Sequence, residues 1–390
     1  MGLTEIEGKD MNKKVFEYFK TAPGSPEWND WHWQYRHRIT EIEELSRIIN
    51  LSDAEKQEIA SCLHRFRMAV TPYYASLMDP EDPKDPIRLQ AVPSILEMHT
   101  MDCERSDPLN EEGDSPVPNI VHRYPDRVLF LTTRQCAMYC RHCTRRRIVG
   151  EEDYAITRSE IDAALSYIER TKEVRDVLIS GGDPLTLGDD KLEYILSGIR
   201  KISHVETIRI GSRVPVSMPM RITPELLSMI RKYQPVWLNT HFNHPREVTE
   251  EAVRACGAIV DAGIPVGNQS VLLRGINDDT DVMRDLLLKL IKARVRPYYL
   301  YQCDMSEGLG HFRTDVSEGI RIIRELTGTI SGYAIPRFVI DLPGGGGKVP
   351  LNPDYIVSED ADHILLENFE GRLYDYPKDR FAKQQKEVKA

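Results

Sequence analysis

Six short apolar runs, at residues 128–132, 177–180, 207–211, 236–240, 266–271 and 298–301, alternate with stretches whose apolar residues recur at helical spacing, most clearly at 159–170, 191–200, 224–233 and 282–292. No other feature constrains the fold as much. A strand that is apolar along its length is covered on both faces, and a helix between two such strands favours parallel pairing through right-handed crossovers. The fold class is therefore α/β, with six units arranged as a partial barrel or an open sheet. Polar residues follow the runs on one side only. A cysteine-rich loop comes after the first, Ser180 to Asp183 after the second, Gly211-Ser212-Arg213 after the third and Thr240 to Pro245 after the fourth; Asn268 and Gln269 lie near the fifth and Asp304 follows the sixth. Parallel sheets and barrels build active sites at the carboxyl ends of their strands, so one reactive rim is expected.

Residues 1 to about 115 read as mainly helical. Trp31, Tyr35 and Ile39 share one periodic face within 28–46, and a second helix is expected over 51–68 with Ser52 as its cap. Trp28 and Trp31 fall on the periodic face and read as packing anchors. Pro80, Pro83 and Pro86 mark a turn region, and the polar stretch 106–119 reads as a linker into the core.

A net charge of -10 argues against a general nucleic-acid binder, so no nucleic acid is expected as a partner. The sequence has neither an apolar run of about 18 residues nor a signal-peptide core at its start, which leads us to expect no membrane association and a cytoplasmic location. Seven cysteines, an odd number with three clustered, fit a reducing compartment.

Those three are Cys136, Cys140 and Cys143, in the stretch RQCAMYCRHCTRRR at 134–147. Three thiolates on one loop can hold three irons of a cubane 4Fe-4S cluster and leave the fourth iron open to a small chelating molecule. Zinc is the competing reading, but it takes four closed ligands, or three and a water, usually from paired C-x-x-C spacings. Buried structural cysteines rarely sit three in eight residues beside four arginines. The second unusual stretch is DLPGGGGKVPL at 341–351, where four glycines deliver Lys348. Val349 after the lysine departs from the phosphate-binding G-x-x-x-x-G-K-[ST] pattern. A lysine on a permissive loop can form a Schiff base with pyridoxal phosphate (PLP), although a flexible loop fits the glycines as well.

The cysteine loop resembles the C-x-x-x-C-x-aromatic-C loop of the radical S-adenosylmethionine (SAM) enzymes, with His142 in the aromatic position. Along nearly the whole chain the sequence resembles the lysine 2,3-aminomutase family of radical SAM, PLP-dependent enzymes. HRYPDRVLFL, CAMYCRHCTRRR, RIGSR, WLNTHFNHP, NQSVLLRGIND, RPYYLYQCD, HFRT and DLPGGGGKVPL carry the likeness. The resemblance implies a radical SAM core, a partial (β/α)6 barrel over 119–336, with an N-terminal helical region at 1–118 and a C-terminal PLP-binding segment and tail at 337–390. It implies a 4Fe-4S cluster on Cys136, Cys140 and Cys143. It also implies a SAM-binding segment at Ser180, Gly181, Gly182 and Asp183, with His241 and Gln269 as further SAM contacts. Lys348 would be the PLP lysine, and Arg127 and Tyr301 would be PLP contacts. Arg145 would pair with the substrate carboxylate, and Asp304 and Asp341 would receive a distal ammonium, which is costly to bury unpaired.

The implied reaction interconverts L-lysine and L-β-lysine by moving the α-amino group to the β-carbon, initiated by a 5′-deoxyadenosyl radical from SAM. The same chemistry on L-arginine, L-glutamate or a protein-bound lysine stays open at this point, as do an iron–sulfur redox or sensor protein without turnover and a zinc-stabilised module. The expected partners are a small amino-acid substrate, a reducing donor such as flavodoxin or ferredoxin, and further copies of the chain. Lysine members of the family carry a cysteine-rich zinc-binding tail. Here no cysteine follows Cys303, and Asp279 follows Asn277 and Asp278 where those members place a partner cysteine, so no structural zinc is expected.

Overall fold

A computed structural model describes residues 11–150, 154 and 156–378; the ends of the first and third expected regions, 1–10 and 379–390, lie outside the described residues. The N-terminal region forms short helices: α1 (Lys13–Phe19), α2 (Pro26–Asn29), α3 (Trp31–Arg36), α4 (Ile42–Ile48), α5 (Asp53–Leu63), α6 (Pro72–Ser76) and α7 (Pro86–Leu89). The single helix suggested over 28–46 is broken into three. Ser25 and Asp30 cap α2 and α3 separately, and Ile39 leaves the helical path to form a β-bridge with Val70. The backbone N–H and C=O of the fully buried Ile39 are thus satisfied by Val70 rather than by the i→i−4 bonds of a continuous helix. Ser52 does cap α5, in a reciprocal capping box with Glu55, but the helix ends at Leu63 rather than reaching 68. Trp28 is buried, and Trp31 lies under the Arg221 guanidinium, so both serve packing as expected.

The core begins with the antiparallel hairpin β1 (Ile120–Tyr124) and β2 (Arg127–Leu131). It continues through α8 (Arg158–Arg170), β3 (Asp176–Ser180), α9 (Asp189–Arg200), β4 (Thr207–Gly211), α10 (Val214–Ser217), α11 (Pro224–Arg231), β5 (Val236–Thr240), α12 (Glu250–Asp261), β6 (Val266–Leu272), α13 (Thr280–Lys292), β7 (Arg296–Gln302), α14 (Val316–Leu326), β8 (Arg337–Leu342) and β9 (Gly347–Pro350). Strands β2 to β8 pair in chain order, all parallel, and β1 and β9 flank them antiparallel. The sheet curls until its edges meet, since the Tyr124 hydroxyl on β1 accepts a hydrogen bond from the Lys348 amide on β9 at 3.0 Å. All six apolar runs are strands, and β8 adds a seventh parallel one. The boundary placed at 336/337 therefore falls inside this sheet, between α14 and β8, because the apolar residues before Asp341 have a ready partner in β7.

Burial along the strands explains the cavity. In β3, Val177 and Ile179 are buried under the helices, while Leu178 and Ser180 are only half-buried. The inward positions leave the barrel lumen unfilled. Helix α8, capped by Thr157 with Glu160, turns Ile161, Ala164 and Ile168 to the outer face of the sheet, and α14 does the same with Ile322, Ile323 and Leu326. Beyond the barrel, β10 (Ile356–Glu359), β11 (His363–Glu367) and β12 (Leu373–Pro377) form a separate antiparallel sheet whose outer strands are exposed.

Candidate active site

A cavity of about 540 Å³ occupies the lumen and its carboxyl-end rim. It brings together all fifteen site residues expected from the sequence: Cys136, Cys140, Cys143, Arg145, Arg127, Ser180, Gly181, Gly182, Asp183, His241, Gln269, Tyr301, Asp304, Asp341 and Lys348. Residues more than two hundred positions apart in the chain therefore share one space.

The cysteine loop is gripped from both sides. Arg38 donates to the Cys136 carbonyl oxygen at 2.6 Å, the Tyr139 amide to the Ala69 carbonyl and the Arg141 amide to the Gln90 carbonyl. Arg141 is itself buried in a bidentate pair with Glu97, to which Arg146 adds a second cation. Burial raises the Glu97 carboxyl, but Arg141 and Arg146 outweigh it and hold it below the usual range. Arg213 donates from Nη1 to the Cys140 sulfur at 2.7 Å and from Nη2 to Gln90 and Glu247. A buried guanidinium against a sulfur suits an anionic thiolate set. Among the described residues no three His, Cys, Asp or Glu side chains close on one point as a single ion would need. A cubane makes no such demand, because each thiolate takes a different iron. The donor set fits that group.

The glycine pair after β3 has a local task. Gly181 has φ +133°, and a Cβ on either Gly181 or Gly182 would collide with the carbonyl oxygen of Thr133 or Gln135. Freed of that Cβ, the Gly182 amide donates to the Thr133 carbonyl and the Asp183 amide to that of Gln135, at 2.5 and 2.7 Å. The carboxylate of Asp183 is spent on the neighbouring loop, accepting from Ser212 Oγ and the amides of Leu185, Arg213 and Val214. Burial still pushes its pKa up, opposed by those four bonds.

Two histidines on the rim are neutral. Burial, then the Arg213 charge, depresses His241 to about 3 and takes His142 well below its ordinary value. Asn243 fixes their tautomers. Its Oδ1 accepts from the Val271 amide, so the His241 Nε2 at 3.0 Å must be the donor; its Nδ2 donates to Gln90 and reaches His142 Nε2 at 3.3 Å. His241 is left with an acceptor at Nδ1, and His142 with an Nδ1–H that has no partner among the described residues. His244 instead caps the turn at Pro245–Glu247, a local structural task.

Across the cavity, Lys348 Nζ donates to Asp341 Oδ1 at 3.0 Å and lies 5.5 Å from the centre of the Tyr301 ring. Asp304 joins them: burial first, then Asp341, raises its pKa to about 7, with Glu111 adding to the rise and Lys348 and Arg145 opposing it. Arg127 lies over the Tyr124 ring at 4.3 Å with much of its side chain exposed. The amine of Lys348, a half-exposed Arg127 guanidinium that also meets Asp126 at 3.5 Å, and a tyrosine form a donor set that fits a phosphate-bearing aldehyde such as PLP. Arg145 is paired with Glu111 through three hydrogen bonds.

Sequence reasoning missed Glu111 and Tyr124, and it placed Arg213 on the rim without a task. Arg213 and Tyr124 act on partners 73 and 224 residues away. Glu111 sits in the stretch read as a linker; the only signal was an acidic run complementary to the arginines at 145–147.

The profile of the radical SAM superfamily matches residues 130–287, and that of lysine-2,3-aminomutase matches 323–389. The chain is 59% identical to an L-lysine 2,3-aminomutase from Acetoanaerobium sticklandii, over 90% of this chain and 85% of that one. It is 56% identical to the enzyme of the same name from Clostridium subterminale, over 94% and 88%. It is 46% identical to a glutamate 2,3-aminomutase from Clostridioides difficile, over 94% and 86%. The barrel with its cysteine loop, the glycine–lysine turn and these likenesses agree: the chain belongs to the lysine 2,3-aminomutase family of radical SAM enzymes.

Proposed function

We propose that the protein interconverts L-lysine and L-β-lysine as a radical SAM, PLP-dependent 2,3-aminomutase. The observation that carries the choice of substrate is the Lys348 ammonium held by Asp341, with the Asp304 carboxylate lining the same cavity. Cys136, Cys140 and Cys143 hold the 4Fe-4S cluster; Ser180, Gly181, Gly182, Asp183, Gln269 and His241 form the SAM site, where neutral His142 and His241 offer one donor and one acceptor. When bound, the cluster and SAM supply the radical that removes a β-hydrogen, and PLP supplies the carrier on which nitrogen migrates. Lys348 holds PLP with Arg127 and Tyr301. With Lys348 drawn away from it, Asp341 would, together with Asp304, receive the distal ammonium of the substrate, while Arg145 would receive the α-carboxylate. An arriving ammonium restores the ionised form of Asp304, which burial otherwise disfavours. Glutamate would bring a further carboxylate to the two, Asp304 and Asp341, that would face its distal end. Walls built from the seven parallel strands keep the reactants in contact and exclude water.

Among the described residues no helix is long and apolar enough to cross a membrane; a cytoplasmic location and reduction by flavodoxin or ferredoxin are part of the same proposal. The exposed Leu373, Tyr374 and Tyr376 on β12 support assembly with further copies of the chain. Anaerobic incubation of the reconstituted protein with SAM, PLP, dithionite and L-lysine should give β-lysine, and borohydride reduction of the PLP-loaded protein should label Lys348. Absence of β-lysine, or label on Lys232 or Lys292, contradicts the reading.

A further inference from the structure

We propose that Glu111 is a positioning residue of this site: by occupying the Nε–Nη2 edge of Arg145, it leaves the Nη1–Nη2 end of the guanidinium for the α-carboxylate of the substrate. The proposal rests on the reading of Arg145 given above. Glu111 belongs to the loop between the helical region and β1, yet its side chain is only 7% exposed. Its oxygens accept from Arg145 Nε at 3.0 and 3.0 Å and from Nη2 at 2.7 Å. A guanidinium carries five N–H donors in a rigid fork. Glu111 engages the Nε hydrogen and one of the two on Nη2. The other Nη2 hydrogen and both on Nη1 remain, and among the described residues Nη1 makes no hydrogen bond. That end is itself a bidentate carboxylate site, on a residue that lines the cavity.

The charges agree with this division. Burial opposes ionisation of Glu111, but Arg145 outweighs it and holds the carboxyl below its usual range. Arg147 stands behind Glu111 at 3.7 Å, so the acid is steadied from a second side. The loop that carries Glu111 is fixed as well. Arg123 donates to Asp114 at 2.8 Å and to the Leu109 carbonyl, and the Gly344 amide donates to the Pro108 carbonyl at 2.8 Å. One loop thus sets the carboxylate-binding end of the site and touches the turn that carries Lys348.

The test compares the holoenzymes of wild type, Glu111→Gln, Glu111→Asp, Arg145→Gln and the Glu111→Gln/Arg145→Gln double variant. For each, KM and kcat are measured with L-lysine, together with the inhibition constant of cadaverine, which is lysine without its carboxylate. Glu111→Gln should raise the lysine KM by about tenfold with kcat changed by less than about twofold, and leave cadaverine inhibition unchanged. Glu111→Asp should recover part of the loss, and the double variant should be no worse than Arg145→Gln alone. An unchanged lysine KM in Glu111→Gln, with a raised one in Arg145→Gln, overturns the role of Glu111 and leaves that of Arg145 standing. Equal weakening of lysine and cadaverine in Glu111→Gln means general damage to the site and also overturns the proposal. If Arg145→Gln itself leaves lysine unaffected relative to cadaverine, the underlying reading of Arg145 is what fails.

Discussion

The cysteine loop and the glycine–lysine turn face one cavity, and the protein holds them differently. Around the cysteines the contacts are buried and many: two glycines press backbone on backbone, Arg141 and Glu97 are fully enclosed, and Arg213 ties Cys140 to Gln90 and Glu247. Around Lys348 the contacts are few. Residues Lys348 to Pro350 of β9 are exposed, and the hypothetical Cβ of Gly344 would meet nothing within 4 Å. The difference follows from what each part is asked to do. A cluster reduced at a fixed distance from its partner gains from a rigid cradle, whereas a lysine proposed to exchange Asp341 for PLP would need room and a chain that allows movement.

The sharpest way to break this comparison is at the ligands. Cys140→Ala should abolish SAM cleavage and lower bound iron, whereas Cys62→Ala, at a buried thiol that donates to the Ser94 carbonyl, should leave both near wild type; SAM cleavage by Cys140→Ala would remove the cluster from this loop. A smaller effect separates the two glycine stretches. Gly182→Ala drives a Cβ into the Gln135 carbonyl and should cost about 1–3 kcal/mol in stability, with loss of cluster incorporation. Gly344→Ala meets no neighbour and bears only the strain of a left-handed residue, about 1–2 kcal/mol, so its cluster should assemble normally. Equal loss of cluster in both variants, followed by thermal melts and iron analysis, would erase the distinction.

On the substrate side, Asp304→Asn or Asp341→Asn should each lower kcat/KM for L-lysine at least ~10-fold, equivalent to about 1.4 kcal/mol. The mildest effect is on pH. With Asp304 titrating near 7 in the company of Asp341, Glu111, Lys348 and Arg145, the ionised form that receives an ammonium is scarce below that pH and dominant above it. The lysine KM should therefore fall by up to about tenfold from pH 6 to pH 8, and Asp304→Asn should flatten the profile. A wild-type profile already flat over that range would mean that Asp304 does not meet the ammonium.

Which parts were legible in the sequence follows from distance along the chain. The six strands declare themselves because each is a local apolar run, and the cysteines because one loop carries all three. β8 was readable as an apolar strand but not as a member of the parallel sheet, since nothing local says that Phe338 pairs with Leu300. The helix suggested over 28–46 failed because Ile39 finds its partner at Val70. The glycine pair was attributed to SAM, yet its tightest contacts are with Thr133 and Gln135, some 47 residues earlier. The rim position of Arg213 was legible but its task was not, and Glu111 was passed over within a linker, because their meaning lies in partners 73 and 34 residues away.

The most direct test of the account is a competition. Equal concentrations of L-lysine, L-arginine and L-glutamate are placed in one anaerobic reaction with the fully loaded enzyme, and the products are followed by mass spectrometry after derivatisation. Asp304 and Asp341 as an ammonium receptor opposite Arg145 predict that lysine is converted first, with kcat/KM at least ~10-fold above either competitor. Prior consumption of arginine or glutamate would contradict that receptor.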